Sequence, residues 1–170
     1  MNNKITIKND IFKIAGMEFI KMREENGAII AVAKKRVFSS IFGENNNFST
    51  SQIISRLESE ILPKIIEAVG QENILDFETD LLSLDGTDDY GKINSKISIP
   101  TLDFFRANKK IFDKHGYDGW MWLSTPDSTN NSWTLCVSSS GDFNDDDCYD
   151  YCGVRPSLRF SSLIFVSREE

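Results

Sequence analysis

Gly119-Trp120-Met121-Trp122-Leu123-Ser124-Thr125-Pro126, joined by a polar segment to Gly153-Val154-Arg155-Pro156, is the stretch whose reading decides the fold. It opens as an apolar aromatic run and resumes as a strand-like run from Val154 to Phe160. Between them the chain is dense in Asp, Asn, Ser, Tyr and Cys. A rigid β scaffold that holds out an irregular surface has this pattern, and binding residues concentrate on such surfaces. Trp120 to Leu123 is an apolar aromatic run, Ser124 to Ser132 a polar loop and Trp133 to Val137 a strand candidate. Ser138 to Gly141 reads as a turn and Asp142 to Cys152 as an irregular loop. Val154 to Phe160 and Leu163 to Val166 close the chain as strands.

Upstream, Lys4 to Lys8 alternates apolar and polar residues, as a half-buried strand does. Ile11 to Ile14, Met17 to Met22 and Ala28 to Val32 are further strand candidates. Asn26-Gly27 supplies the turn between the last two. Residues 1–33 therefore read as a β meander, with Lys34-Lys35-Arg36 a solvated strand end. After the loop Gly43 to Asn47, Ser49, Thr50 or Ser51 can cap a helix whose Ile53, Ile54, Leu57, Ile61 and Leu62 recur at helical spacing. Pro63 breaks or bends it. A second piece, Lys64 to Val69, stops at Gly70. Pro100-Thr101 opens another helix, with Leu102, Phe104, Phe105, Ile111 and Phe112 on its apolar side. Residues 49–112 thus form a helical part and 119–166 the strands and ligand loops. With no internal repeat and no linker, residues 1–170 read as one α+β domain.

The 170 residues are enough for one domain with a sizeable core. At 40% hydrophobic and 26% charged, the composition is globular. A formal net charge of −7 disfavours nucleic acid and anionic membrane as partners, since both require cationic surface. The opening Met1-Asn2-Asn3-Lys4-Ile5 lacks the apolar core and cleavage site of a secretory signal. No apolar run approaches the roughly 20 residues that span a bilayer. The expectation is cytoplasmic synthesis without export or membrane insertion, compatible with later assembly into a virus particle.

Cys136, Cys148 and Cys152 are odd in number, which argues against a disulfide framework. Cys148 and Cys152 can pair only where geometry permits. With His115 they make the inventory of a structural zinc site, but no Cys-x-x-Cys pair is present. Small, partly buried thiols are the simpler reading. Asp76 to Gly91 carries six carboxylates among leucines, with no spacing of a calcium loop and an ordinary Asp85-Gly86 turn. No partner marks His115 as a general base. The expectation is a protein without cofactor, metal ligands or catalytic residues.

Trp120, Trp122, Leu123, Ser124 and Pro126, followed by a glycine turn at Gly141 and by Gly153 to Pro156, carry a resemblance. The chain resembles a group of uncharacterised phage and Firmicute proteins with a W-W-L-R-S-P signature and a later G-V-R-P. Ser124 stands where that group often has arginine, so any ion pair built on that arginine is missing. The likeness covers most of residues 50 to 166. The group is similar to the C-type-lectin fold, shared by formylglycine-generating enzymes, phage receptor-binding proteins and the variable proteins of diversity-generating retroelements. The resemblance implies a small twisted antiparallel sheet, two flanking helices and ligand contacts on an irregular C-terminal loop region. It implies no reaction.

Asp142 to Cys152 uses only Asp, Phe, Asn, Cys and Tyr, all encoded solely by codons ending in a pyrimidine. Adenine-directed mutagenesis of repeated Asn codons, as in retroelement systems, generates this alphabet; so does a polar surface loop of biased composition. Tyrosines suit a variable surface, offering rigid amphipathic area at little entropic cost. Phe143-Asn144-Asp145 with Cys148 also resembles the W-N-D-x-x-C segment of calcium-dependent lectins, without their E-P-N or Q-P-D tripeptide. Cys148 with Cys152 resembles the cysteine pair of the formylglycine-generating branch, but neighbouring acids raise a thiol pKa and blunt its reactivity. Arg155, in the Gly153 to Pro156 run, reads as structural. Trp120, Trp122 and Trp133 read as core first and ligand platform second.

The expected binding residues are Asp127, Asn130, Asn131, Phe143, Asn144, Asp145, Asp146, Asp147, Tyr149, Asp150 and Tyr151, taking a protein or glycan ligand. The rival reading is an intracellular anti-defence inhibitor that sets acidic loops against a basic host protein. A calcium-dependent lectin is the third.

Overall fold

The structure is a computed structural model that describes residues 4–166. The sequence readings at residues 1–3 and 167–170 lie outside it. β1 (Ile11–Ile14), β2 (Met17–Glu25) and β3 (Ala28–Ala33) form the antiparallel meander that the sequence implies. The β2–β3 turn places Asn26 at φ 45° and Gly27 at φ 76°. That is the left-handed pair demanded by a two-residue hairpin turn, which Asn-Gly adopts at least cost. All six residues of β3 are buried, because both faces of this strand are covered.

The chain then makes β4 (Phe38–Ser40), α1 (Gln52–Arg56), a π-helical turn (Leu57–Ile61) and α2 (Leu62–Val69). Ser51 caps α1, its hydroxyl accepting the Ile54 amide at 3.1 Å. Pro63 does not end the helix. One wide turn intervenes, with the Leu62 amide donating to the Leu57 carbonyl, and the helix resumes with Pro63 in its first turn, where no amide hydrogen is required.

Residues 49–112 are less helical than the sequence suggests. They include β5 (Ile74–Leu75) and a hairpin of β6 (Phe77–Asp80) with β7 (Lys92–Ser95). The expected Leu102–Phe112 helix is two helices, α3 (Leu102–Ala107) and α4 (Lys109–His115), divided at Asn108. The Asn108 side chain donates to the Phe104 carbonyl, a local bond that competes with helix propagation.

β8 (Met121–Pro126), β9 (Trp133–Val137), β10 (Phe143–Asp147), β11 (Cys152–Val154) and β12 (Ser157–Ser161) complete the chain. One five-stranded sheet has the order β1-β2-β3-β12-β5. The other has β10-β9-β8-β11-β4, antiparallel except for β8 with β11. Both sheets contribute to two apolar clusters. The larger holds Phe12, Phe19, Phe42, Trp122 and Phe160 with α1 and α2. The other holds Ile20, Met121, Leu123 and Val137 with α3 and α4. The molecule is thus α+β, with mostly antiparallel sheets covered by few helices. No helix is long and apolar enough to cross a membrane.

Four further sequence readings are corrected. Lys4 to Lys8 is not a strand: Ile5 bridges Phe165 and Lys8 bridges Ile11, so its apolar residues pack without a continuous ladder. Ser124 and Thr125 are not loop but buried strand, with the Ser124 amide on the Pro100 carbonyl and the Thr125 hydroxyl accepting the Leu102 amide. Val154 to Phe160 is two strands in different sheets, parted at Arg155-Pro156, because proline has no amide for a ladder. Leu163 to Val166 is a 3-10 turn followed by a single bridge.

Candidate functional site

The largest correction is at the site itself. Phe143 to Asp147 is not irregular loop but an edge strand, fully registered on β9 from Phe143–Val137 to Asp147–Trp133. Asp and Asn disfavour strands intrinsically, but β9 presents a row of backbone donors and acceptors that a neighbour must satisfy. Alternation then divides the side chains. Asn144 and Asp146 share the face of Cys136, while Phe143 and Asp145 share the face of Leu135 and Val137. Consecutive Asn144 and Asp145 therefore stand on opposite faces of the strand.

The expected binding residues gather into two patches along this strand. Ser132 and Cys148 join the first patch, the Cys148 amide donating to the Ser132 carbonyl at 2.7 Å. Here lie the 127–132 loop, the end of β10 and the 149–151 turn. Asn130, Asn131, Tyr149, Asp150 and Tyr151 are exposed, whereas Asp127, Asp146 and Asp147 are half-buried. Asp127 and Asp145 carboxyls meet across the loop. Burial raises the Asp127 carboxyl, but the Thr129 hydroxyl and amide outweigh it and hold it below the usual range. At the other end of β10, Phe143 stands exposed with Phe105, Lys109 and Gly141 around it. Five strand residues separate the two ends by roughly 13 Å.

The turn is anchored at both ends. Cys148 is fully buried, and its carbonyl accepts the Phe42 amide at 2.8 Å. Cys152, also buried, starts β11. The three cysteines are free thiols. Burial, with Asp147 and Asp146 adding to it, pushes the Cys148 thiol up to about 12. A hydrogen bond with Cys136, then burial, pushes the Cys152 thiol up further. His115 is not with them; it faces Asp10 at 3.5 Å.

Sequence reasoning missed what holds the 127–132 loop. Asn46, 1% exposed, donates its side-chain amide to the carbonyls of Asp127 and Trp133, both at 2.8 Å, and of Asn130 at 3.3 Å. Its own backbone amide donates to Asn131. An asparagine inside Gly-Glu-Asn-Asn-Asn carries no local signal of such a role. Loop 81–91 braces the other side: Asp85 is hydrogen-bonded by the Ser128 hydroxyl, and the Leu84 amide donates to the Pro126 carbonyl.

Arg36 was also misread as a solvated strand end. It donates to the Asp118 and Trp120 carbonyls at 3.0 and 3.4 Å and to the Ser39 hydroxyl at 3.0 Å, clamping β4 to the start of β8. Arg155 is the buried structural residue expected: its Nε donates to the Ala33 carbonyl at 2.8 Å, joining the two sheets. Of the tryptophans only Trp122 is core. Its indole donates to the Ser40 carbonyl, while Trp120 and Trp133 are about 40% exposed.

No family model, curated protein or solved structure matches this chain.

Proposed function

We propose that the chain is a non-enzymatic ligand-binding protein that takes a protein or glycan ligand on the surface built from residues 127–132, β10 and the 149–151 turn. One observation carries this reading. Trp133, Phe143, Tyr149 and Tyr151 are 41, 54, 59 and 74% exposed, on a backbone held rigid beneath them. Exposed large aromatics among carboxylates, on a fixed frame, are what a recognition surface needs: contact area with little ordering cost. The raised Cys148 and Cys152 thiols support a non-catalytic reading, because protonated thiols are poor nucleophiles.

We further infer a C-type-lectin-like fold of phage or mobile-element origin, related to retroelement variable proteins. The support is the Trp122 to Pro126 and Gly153 to Pro156 resemblance, the pairing of β12 with the N-terminal meander, and the pyrimidine-ending alphabet of residues 142–152.

The test compares the full chain with a Tyr149→Ala/Tyr151→Ala variant, probed against a glycan array and bacterial envelope preparations. Loss of binding by tenfold or more at unchanged melting temperature is expected, tenfold being about 1.4 kcal/mol. A variant that binds as well as the parent overturns the assignment. Sequencing the locus across related isolates tests the diversification reading: changes concentrated at residues 128–132 and 142–152 support it, and uniform variation sinks it.

The acidic character of this surface favours a second reading, an intracellular inhibitor of a basic protein. Asp142, Asp145, Asp146, Asp147 and Asp150 lie within nine residues. Binding to such a partner would weaken steeply with salt, whereas binding through the aromatics would not.

A further inference from the structure

Beneath the 149–151 turn, three side chains from three strands converge. The sulfurs of Cys136 on β9 and Cys152 on β11 and a carboxylate oxygen of Asp146 on β10 all lie within 4.8 Å of one another. Cys152 Sγ is 3.7 Å from Asp146 Oδ2. Both cysteines are buried and Asp146 is half-buried. Among the described residues no Lys, Arg or His forms an ion pair with Asp146. Its other partners are the Asp147 amide and the side chain of Asp150, on the exposed turn. Two buried thiols thus converge with a half-buried carboxyl that has no cation partner among the described residues, and three metal-ligating groups share one point beneath the surface.

We propose that Cys136, Cys152 and Asp146 bind one thiophilic metal ion of zinc's class, with the fourth position turned toward Asp150 and the exposed turn. Two sulfurs select such an ion over calcium or magnesium, which require oxygen. The geometry is near what the ion demands. Zinc–sulfur and zinc–oxygen lengths of about 2.3 and 2.0 Å set tetrahedral edges of roughly 3.5 Å. The Cys152–Asp146 separation already lies there, and the remaining separations need only a side-chain adjustment of about an ångström. The donors stand on three separate strands, so their spread is set by the sheet and not by a mobile loop. On binding, both thiol protons leave to solvent. Two thiolates and one carboxylate then face the dication. Cys148 and His115 are not part of the cluster. The inference does not depend on the surface above binding anything. If it is correct, the ion fastens β9, β10 and β11 together under Tyr149 and Tyr151.

The test uses the reduced, chelator-treated full chain titrated with cobalt(II) and then zinc. One equivalent of cobalt is expected to produce a thiolate-to-cobalt charge-transfer band and strong tetrahedral ligand-field absorption, both removed by zinc and untouched by calcium. Cys136→Ser and Cys152→Ser are expected to abolish the band, and Cys148→Ser to leave it. Asp146→Asn, on the edge strand, should keep the fold and weaken binding by about tenfold or more, the scale on which even an outer-shell partner acts. X-ray absorption on the zinc-loaded parent needs no variant: two sulfur neighbours are expected. Zinc surrounded only by nitrogen and oxygen overturns the proposal, as does the absence of a charge-transfer band at stoichiometric cobalt, or its persistence in a folded Cys152→Ser variant.

Discussion

The side-chain oxygen of Asn46 accepts the Tyr90 hydroxyl at 2.5 Å, and through this bond the 127–132 loop is tied to the loop after β6. With its oxygen thus engaged, the Asn46 amide nitrogen is turned toward the loop, where three carbonyls receive it. Asn46→Ala is expected to strand these groups in a buried setting and to destabilise the fold by about 2–4 kcal/mol. Tyr90→Phe removes one bond and should cost about 1 kcal/mol. Denaturant titration measures both, and hydrogen exchange at the Asp127 and Trp133 amides should quicken in Asn46→Ala before it does elsewhere.

Gly153 is packed so closely that a methyl group there would meet the Arg36 guanidinium and the Trp120 carbonyl, each at 2.9 Å. The Gly153 amide also donates to that carbonyl, so the backbone cannot retreat without breaking β11 from β8. Gly153→Ala should cost about 1–3 kcal/mol. At roughly 2–4 °C per kcal/mol for a chain of this size, the melting temperature is expected to fall by about 2–12 °C. An unchanged melting temperature would show that Arg36 moves freely.

The Asp85 carboxyl is lowered to about 2 from 3.8, chiefly by the Ser128 hydroxyl, then by the Ser83 hydroxyl and the Thr87 amide. A carboxyl that titrates lower when folded contributes stability above its unfolded value and loses it as pH falls through the folded one. The contribution is therefore complete above about pH 4 and lost progressively toward pH 2. In Asp85→Asn the acid limb of the stability profile should lose this component, and the protection of loop 127–132 amides, taken relative to their intrinsic exchange rates, should no longer fall between about pH 4 and pH 2.

Strand β10 is an open edge, with backbone groups available to another chain. Its carboxylates Asp145, Asp146 and Asp147 repel a second copy, a common guard on such edges. Asp145→Val/Asp147→Val raises strand propensity and removes two charges. Light scattering should then show stronger concentration-dependent association than the parent does.

The parts of the fold that were legible from sequence are those whose cause is local. Asn26-Gly27 dictates a hairpin on its own, the Ser49-Thr50-Ser51 run offers a cap that Ser51 supplies, and the Trp133 to Val137 run is strand by composition. Arg155, between Val154 and Pro156, is structural as its sequence suggests, because a buried guanidinium has few alternatives to carbonyls. The misread parts are decided at a distance. β10 is a strand because β9 has an unpaired side, which overrides the poor propensity of Phe-Asn-Asp-Asp-Asp. Asn46 and Arg36 act on residues more than 80 positions away, and nothing beside them in the chain announces it. Cys136, Cys148 and Cys152 were legible as a set. Only the structure separates Cys148, a pin for the turn, from the other two, which meet Asp146.

The burial of Cys148, with its amide and carbonyl both engaged, makes the next three residues a detachable insert. Tyr149 and Tyr151 can be exchanged without the core being consulted, whereas Asp150 keeps its tie to Asp146. Shape above the pin and stability below it become separately heritable traits. A lineage can therefore change the chemistry of this exposed tip without passing through unfolded intermediates.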